Sequence, residues 1–411
     1  MVSVDGPCPW TSFGGPFRVR ASVPVDHSGR VAEWQTRTVQ VRVSERMWGF
    51  NSPLAHPPLL LAPCGPHTAS CTLVVMAAAR KIVDLTGPGL TDRFGVGGTD
   101  LGVLARTPEG SLVAVFGDTF EHGGPGNPGW RSPVVLFADP DSFRGGLRWT
   151  ASAGPGDPQG YAQQVVDYRH NGLRGWRRVS TVLPTDVLTV GDTMYLHVMA
   201  CHGLGNVRRT ELHRSDDGGR TWHETGTTWP GGHLGGLFQM LTWELDETDG
   251  YVYAFSTGFQ RAHGLLLQRV PAERLEDPTA WEGWGFAGGE WAWGNPPTLV
   301  LGGAFGELCL RRVDGPAGRQ WVLVGFDAGN YRIDARVLAH PTQNLLETPV
   351  TTVLTGCGWD DEDHAAGRVA QLYGGYVVPG STLDDLHLVV SQWNTGTNWP
   401  YRAMQFRASV S

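Results

Sequence analysis

Most of the chain alternates short apolar runs with turns that are rich in Gly, Pro and Asp. No run reaches the length of a membrane span, and no long segment has the 3.6-residue period of an amphipathic helix. The pattern is most distinct where two apolar runs, Leu101–Ala105 and Leu112–Phe116, flank a turn over Thr107–Gly110. In such a turn Pro fixes φ and Gly accepts a positive φ. The stretch therefore predicts a β-hairpin with Asp100 and Asp118 at nearby strand ends.

Similar strand-like runs continue to the C-terminus, and many follow one another closely enough to form antiparallel hairpins. They fall into groups of roughly 45 to 85 residues that begin near Asp100, Asp186, Leu237, Glu307 and Gln371. Repeated sheets of three or four strands predict an all-β fold, specifically a five-bladed β-propeller. A jelly roll is the main alternative.

One turn motif supports the propeller. The segment Ser215–Trp222 reads SDDGGRTW and matches the Asp-box pattern S-x-D-x-G-x-T-W. In that turn the Ser and Asp side chains bond the loop amides, and the Trp packs beneath them. Its role is structural, so it favours an architecture and not an activity.

The first 75 residues differ from the rest because they lack any sustained period. The run 31–56 resembles a translated transfer-RNA gene, and Trp48–Pro53 can be encoded by a stem that flanks a TTCAA loop. We therefore expect residues 1–75 to be a spurious, poorly ordered extension, with the true start near Met76 and the propeller domain over 76–411. The alternative is a genuine leader, in which Pro58–Ala62 is too short for a signal-peptide core.

Composition narrows the range of partners. Charged residues make up 18% of the chain, the formal net charge is -8, and Gly (57) and Trp (17) are plentiful. A nucleic acid or an anionic membrane surface would need a basic patch, so a neutral polymer is the more natural ligand. The cysteines form no CxxC pair or Cys/His ladder, which argues against a zinc site. Cys201, Cys309 and Cys357 are expected to be buried thiols, with a single disulfide possible.

Acidic residues near the first strand of each group are the candidate catalytic groups. In a propeller these strands line the central channel, so Asp100, Asp118, Asp186 and Glu307 could meet there. Paired carboxylates are the groups that hydrolyse glycosidic bonds. Glu307 is a lone carboxylate in an apolar run, which is the setting of a general acid. The structural alternatives are turn capping for Asp100 and Asp118, and an ion pair with Arg311 or Arg332 for Glu307.

Two further segments could bind sugar hydroxyls at the rim of the channel. Trp130 and Arg131 follow a glycine-rich loop, and Gln392, Trp393 and Asn394 combine an aromatic ring with amides. A packed Trp with satisfied polar neighbours is the structural alternative for each. The acidic run 360–363 beside His364 could hold calcium, although a solvated loop is the simpler interpretation, and no metal or cofactor is expected.

Five short motifs resemble, in order, an actinobacteria-rich family long catalogued as a domain of unknown function and now linked to endo-D-arabinanases (glycoside hydrolase family 183). The resemblance covers residues 85–408. The motifs are Gly97–Gly102, Phe116–Phe120, Trp130–Ser132, Gly306–Leu308 and Ser391–Trp393.

The resemblance implies a five-bladed propeller that cuts internal α-D-arabinofuranosyl linkages of arabinogalactan and lipoarabinomannan, without a cofactor. It implies Asp100 as base or nucleophile and Glu307 as general acid, with Asp118 and Asp186 tuning a pKa or binding the sugar. The third group offers no acid over Gly232–Met240, where related furanosidases often carry one. We expect a monomer that acts on arabinan outside the cell, in the cell wall or in association with a phage, although no clear signal peptide precedes it.

Two other functions remain open from the sequence. A non-catalytic carbohydrate-binding propeller, such as a phage or surface adhesin module, would use the same aromatic and amide residues without hydrolysis. A sialidase-like hydrolase is less favoured, because no arginine triad for a sialate carboxylate is apparent.

Overall fold

The computed structural model describes residues 74–154, 160–174 and 177–411. The expected leader over 1–75 lies outside the described residues, apart from Val74 and Val75 in the first strand. The predicted start at Met76 coincides with the last residue of that strand.

The described residues form twenty-five β-strands. Their bounds are β1 Val74–Met76, β2 Arg80–Asp84, β3 Gly98–Arg106, β4 Leu112–Phe120, β5 Val134–Ala138, β6 Trp149–Ser152, β7 Gly172–Arg174, β8 Arg177–Val179, β9 Thr181–Val190, β10 Thr193–Cys201, β11 Val207–Ser215, β12 His223–Pro230, β13 Met240–Asp246, β14 Tyr251–Thr257, β15 His263–Pro271, β16 Glu282–Ala287, β17 Glu290–Trp293, β18 Leu301–Gly315, β19 Gly318–Asp327, β20 Arg332–Leu338, β21 Val350–Cys357, β22 Arg368–Ala370, β23 Leu372–Val377, β24 Leu386–Trp393 and β25 Tyr401–Ala408.

The strands pair mainly with their neighbours in sequence. Two separate sheets have the orders β3-β4-β5-β6 and β9-β10-β11-β12, and a third has the order β2-β25-β24-β23. An eleven-stranded sheet contains the meanders β13 to β17 and β18 to β21, joined by a short pairing between β15 and β18. Because β2 adds to β25, the N-terminal part of the described chain closes the sheet formed by the C-terminal strands.

The first strands of the meanders contact one another in a ring. Strand β3 contacts β9, β9 contacts β13, β13 contacts β18, β18 contacts β23, and β23 contacts β3 again. Apolar side chains between successive sheets form the core, with the largest cluster around β3 to β5 and β23 to β25. The fold is therefore all-β and propeller-like, as the strand pattern predicts.

Helical structure is limited to six short 3₁₀ turns in the described residues. They are Asp92–Phe94, Pro140–Gly145, His233–Gly236, Ala272–Arg274, Trp359–Asp361 and His364–Ala366. None of the helices in the described ranges is long and apolar enough to cross a membrane.

The hairpin predicted around Asp100 and Asp118 is confirmed as β3 and β4, with a Gly110 N–H to Thr107 C=O bond of 2.9 Å closing the turn. Between β11 and β12, the Asp217 carboxylate accepts bonds from the amides of Arg220 (3.1 Å) and Thr221 (2.9 Å). Cys201, Cys309 and Cys357 are free thiols, the first two buried, as the simpler interpretation of the sequence predicts.

Candidate functional site

A cavity of about 280 Å³ opens at one end of the five inner strands. Each of these strands contributes at least one lining residue. Asp100 comes from β3, Thr185 from β9, Leu241 from β13, Glu307 from β18 and Tyr373 from β23. Of the predicted residues, Asp118, Trp130 and Trp393 also line this cavity.

Backbone bulges direct the inner strands where they meet the cavity. The register of β3 against β4 shifts on both sides of Leu101, next to Asp100. The register of β18 against β19 shifts between Phe305 and Leu308, which brackets Glu307. A bulge leaves a residue unpaired and re-aims its side chain, and such features are over-represented beside active sites. Both carboxylates therefore lie where the sheet no longer imposes regular alternation.

The bulge at Asp100 is held from two sides. Leu101 has a φ of 61°, a conformation that is uncommon for a residue with a side chain. Its amide donates a 2.8 Å hydrogen bond to Oγ of Ser391, which anchors the bulge to β24. On the other side, a Cβ on Gly117 would lie 2.4 Å from Oδ1 of Asp100. Glycine at position 117 thus leaves the space that the carboxyl group occupies.

The environment of Asp100 favours its protonated form. Burial, and secondarily the nearby Asp118 carboxylate, raises the pKa of Asp100 to about 8. A 2.8 Å hydrogen bond from the Tyr373 hydroxyl to Oδ2 opposes this shift, because it stabilises the charged form. At neutral pH the group is therefore a carboxylic acid that can donate a proton into the cavity.

Asp118 is held by two donors on a single oxygen. Its Oδ1 accepts bonds from the Thr181 hydroxyl (2.6 Å) and the Trp130 indole N–H (2.7 Å). Burial raises the pKa of Asp118, and these two hydrogen bonds lower it. The Trp130 ring also stacks on His170, with ring centroids 3.9 Å apart. Trp130 therefore fixes the carboxylate and presents an aromatic face to the cavity.

Glu307 forms an ion pair with Arg261, and not with Arg311 or Arg332 as the structural alternative proposed. The Arg261 guanidinium donates to Oε1, and the Glu307 side chain is only 4% exposed. Among the described residues no group hydrogen-bonds Oε2, which is buried. The guanidinium compensates the carboxylate charge while one oxygen remains available for a ligand or water.

Phenol groups supply neutral donors around the acids. Tyr373, Tyr376 and Tyr401 all line the cavity, and burial raises the pKa of each well above its usual value. Each hydroxyl therefore keeps its proton and can donate a hydrogen bond.

Asp186 is placed away from the cavity, in contrast to its predicted catalytic or sugar-binding role. Both of its oxygens accept bonds from the Arg311 guanidinium, at 2.6 and 2.9 Å. It also accepts bonds from the Thr242 hydroxyl (2.6 Å) and the Trp243 amide (3.1 Å). Asp186 and Arg311 thus form a buried, hydrogen-bonded ion pair that links β9, β13 and β18.

Three predicted sugar-binding residues also lie outside the cavity lining. Arg131 donates to backbone carbonyls, including those of Ala162 (2.5 Å) and Gly95 (2.7 Å). Gln392 is buried and accepts two bonds from Arg402, at 3.1 and 2.9 Å. Asn394 caps the following turn through its side-chain oxygen. These polar side chains are satisfied within the protein, which is the structural alternative given for them.

The sequence offers no acid in the third group of strands over Gly232–Met240. At this part of the cavity the lining consists of apolar groups and one arginine. Met240, Leu241 and Phe259 line the cavity there, together with Arg261. Sequence reasoning missed Arg261, because it lies in the connection between β14 and β15 and its partner Glu307 is 46 residues away. The three tyrosines were also missed, since nothing local separates them from core aromatics.

The acidic run before His364 makes internal bonds. Glu362 contacts His364 Nε2 at 3.0 Å and accepts a 3.1 Å bond from the Ala370 amide, while Asp363 caps the turn at Ala365 and Ala366. Within 74–154, 160–174 and 177–411 there is no group of three or more side chains that could hold a metal ion.

The chain is similar in sequence to proteins of a bacterium and of a fungus, and in fold to a solved structure. An uncharacterised 35.9 kDa protein of Mycolicibacterium smegmatis is 31% identical over 334 residues, which are 77% of this chain and 93% of that protein. Notoamide biosynthesis cluster protein J' of Aspergillus versicolor is 30% identical over 74% of this chain and 83% of its own length. A crystal structure from Bacteroides ovatus, described as that of a "putative hydrolase", superposes with a TM-score of 0.53 at 16% identity, covering 77% of this chain and 87% of the other.

A family model matches residues 86–407, nearly all of the described chain. This match and the identity to the M. smegmatis protein agree in extent with the ordered motifs of the sequence. The chain therefore belongs to the family described as a domain of unknown function, DUF4185.

Proposed function

We propose that the protein is an endo-acting glycoside hydrolase that cleaves α-D-arabinofuranosyl linkages of arabinogalactan and lipoarabinomannan. The observation that carries this proposal is the pairing of a protonated Asp100 with an Arg-compensated Glu307 in one cavity. Glycosidases need one carboxylic acid and one carboxylate flanking the scissile bond. The ordered motifs that resemble the endo-D-arabinanases supply the substrate class.

The environments of the two acids support roles opposite to those implied by the family resemblance. Asp100, protonated at neutral pH, donates a proton to the leaving-group oxygen. Glu307, paired with the Arg261 guanidinium, acts as base or nucleophile through Oε2, which accepts no hydrogen bond from the described residues. Asp118 raises the pKa of Asp100 by its charge. Asp186 is assigned to the structural ion pair with Arg311.

The lining of the cavity suits a neutral sugar polymer. Trp130 and Trp393 offer aromatic faces, and the tyrosine hydroxyls offer uncharged donors. Aromatic rings can pack against the apolar face of a sugar ring while its hydroxyls bond to polar groups.

We further propose that the architecture is a five-bladed β-propeller. Support comes from the closed ring of contacts among β3, β9, β13, β18 and β23. Each of these begins an antiparallel meander, and the strand pairing between β15 and β18 would then be a contact between neighbouring blades.

The decisive experiment is to incubate the full chain with arabinogalactan and to identify the products. We expect arabino-oligosaccharides and new reducing ends, with losses of about 10²-fold or more in Asp100→Asn and in Glu307→Gln. Asp141→Asn, at an exposed aspartate, is the matched control and should retain activity. Polymer binding with no reducing ends would instead identify a non-catalytic binding propeller. The initial anomer of the product, followed by NMR, distinguishes retention from inversion.

A further inference from the structure

An aromatic hairpin lies on the outside of the third meander, separate from the cavity. It consists of β16 and β17, and its register pairs Trp284 with Trp293 and Phe286 with Trp291. Residues that face each other across an antiparallel pair project from the same face. All four rings therefore occupy one face of a two-stranded sheet, which we term the aromatic platform.

On the opposite face of the hairpin, Gly283 and Gly285 are covered by the segment 295–298. A Cβ on Gly283 would lie 2.3 Å from Cγ of Pro297, and one on Gly285 would lie 2.0 Å from the carbonyl oxygen of Pro296. The Thr298 hydroxyl accepts a 3.0 Å bond from the Phe286 amide. The Asn295 side chain donates a 3.1 Å bond to the Gly285 carbonyl. This close backing fixes the hairpin. Trp284 and Trp293 pack on the core beside Tyr253, so Phe286 and Trp291 form the exposed part of the aromatic platform.

The outer rings of the aromatic platform are unusually exposed. Phe286 is 51% exposed and Trp291 is 41% exposed. Trp291 is held against Trp284, with ring centroids 6.2 Å apart and planes 20° apart. Trp293 is held in turn by the Arg269 guanidinium, 4.4 Å from its ring centroid. The exposed rings are thus oriented by inner rings, so a ligand that stacks on them meets a surface already in place.

We propose that the aromatic platform is a surface binding site for an uncharged polysaccharide chain, and this proposal rests on the proposed function. Flat, fixed aromatic rings in water bind ligands that present an apolar face and a hydrated edge, which is the chemistry of a sugar ring. Glu290, next to Trp291 in the chain, is exposed at the end of the hairpin, and Glu282 is engaged with Arg269 at 3.0 Å. The exposed carboxylate disfavours an anionic ligand.

The position of the hairpin connects it with the cavity. Strand β16 runs antiparallel to β15, starting opposite Arg269. It therefore heads toward the end of β15 near His263, two residues beyond Arg261, which lines the cavity. A polymer held on the aromatic platform would lie on the side of the molecule at which the cavity opens.

A second copy of this chain is a poorer occupant. A whole aromatic side chain offers about 150–250 Å², so two half-exposed rings present roughly 200 Å² per molecule. A stable interface needs about 800 Å² per partner. The aromatic platform alone is too small for a dimer and large enough for a few sugar units.

Binding is tested in an Asp100→Asn background, so that the polymer stays intact. Migration in native gels that contain arabinogalactan is compared for Asp100→Asn alone, with Phe286→Ala and Trp291→Ala added, and with Trp359→Ala added as the control. Trp359 is 36% exposed and lies outside the hairpin. We expect the double alanine substitution to weaken binding at least about fivefold, with Trp359→Ala unchanged.

Hydrolysis separates this proposal from the proposed function. With Asp100 restored, the double variant should show a raised KM for the polymer and an unchanged rate on a short arabino-oligosaccharide that fills only the cavity. No hydrolysis by the unaltered protein would refute the proposed function, and the gel result would stand by itself. Equal gel migration of the double variant and its parent, or no arabinogalactan binding by that parent, would overturn the aromatic platform as a binding site. A dimer in sedimentation that the double substitution abolishes would overturn it in favour of self-association.

Discussion

The hydroxyl of Tyr373 donates a 2.8 Å hydrogen bond to Oδ2 of Asp100. This contact joins the last inner strand, β23, to the first, β3, at the point where the ring of strands closes. It stabilises the charged form of a carboxyl group whose pKa burial raises to about 8. The pKa of the proposed acid is therefore set by a balance between burial and the charges of Asp118 and Glu307, which raise it, and hydrogen bonds from Tyr373 and Tyr401, which lower it.

Tyr373→Phe should make Asp100 a weaker acid. The substitution removes a hydrogen bond worth about 1 kcal/mol, which corresponds to roughly 0.7 of a pKa unit. Because the proposed active form is protonated, the alkaline limb of kcat/KM should move to higher pH. The measurement is the pH profile on a short arabino-oligosaccharide. An alkaline limb that stays in place would show that Asp100 is not the group titrating there.

Asp118→Asn should move the same limb in the opposite direction. It removes the negative charge that helps to raise the pKa of Asp100, while an Asn oxygen can still accept the bonds from Thr181 and Trp130. Asp100 should then lose its proton at lower pH, and activity should decline earlier on the alkaline side. Tyr373→Phe and Asp118→Asn serve as controls for each other. A general disturbance of the site would not move the alkaline limb to higher pH in one variant and to lower pH in the other.

Asp100→Asn should stabilise the protein at alkaline pH. The folded-state pKa of about 8 lies above the ordinary aspartate value of 3.8, so the folded state favours the protonated acid. The wild-type stability is then complete below about pH 4 and falls as the pH rises through 8. Asparagine removes this dependence, and we expect a gain of up to about 5 kcal/mol in the free energy of unfolding at pH 8, and none near pH 4. Urea unfolding across this range checks it, with Asp141→Asn as a variant that should show no such trend.

Local patterns were sufficient to predict the first hairpin. The alternation around Leu101–Ala105 and Leu112–Phe116 and the turn between them are encoded within a short stretch, so Asp100 and Asp118 were placed correctly at one end of β3 and β4. The direction of a side chain at a bulge depends on pairing with other strands. The sequence therefore does not show that Asp186 points away from the cavity, because its partner Arg311 lies 125 residues away.

Long-range partners explain the other differences. Arg131 and Gln392 occur in segments suited to sugar binding, but distant carbonyls and Arg402 already occupy them. The aromatic hairpin has a recognisable sequence pattern, because aromatic residues alternate with Gly in Gly283–Phe286. Glycine lowers the strand propensity of such a run, so the sequence alone does not predict a strand there. The packing behind the glycines has to be known first.

The ion pair between Arg261 and Glu307 should be strongly coupled. The Arg261 and Glu307 side chains are 14% and 4% exposed, so removing one partner leaves a poorly hydrated charge. We expect Arg261→Met and Glu307→Gln each to cost about 3–5 kcal/mol, and the double variant to cost clearly less than their sum. The exposed pair of Arg214 and Asp216 is the control, and its coupling should be much smaller than that of the buried pair. Additive losses at Arg261 and Glu307 would contradict the assigned pairing.

Asp186 and Arg311 should affect stability and leave the chemistry intact. The pair is buried between β9, β13 and β18 and does not contribute Asp186 to the cavity, so Asp186→Asn leaves the guanidinium without its counter-charge. We expect a loss of about 3–5 kcal/mol in urea unfolding, with kcat of the folded enzyme within about twofold of the unaltered protein well below its unfolding temperature. Asp100→Asn should show the reverse pattern, with activity lost and no loss of stability. A large fall in kcat for a fully folded Asp186→Asn would return Asp186 to the catalytic set that the sequence alone suggested.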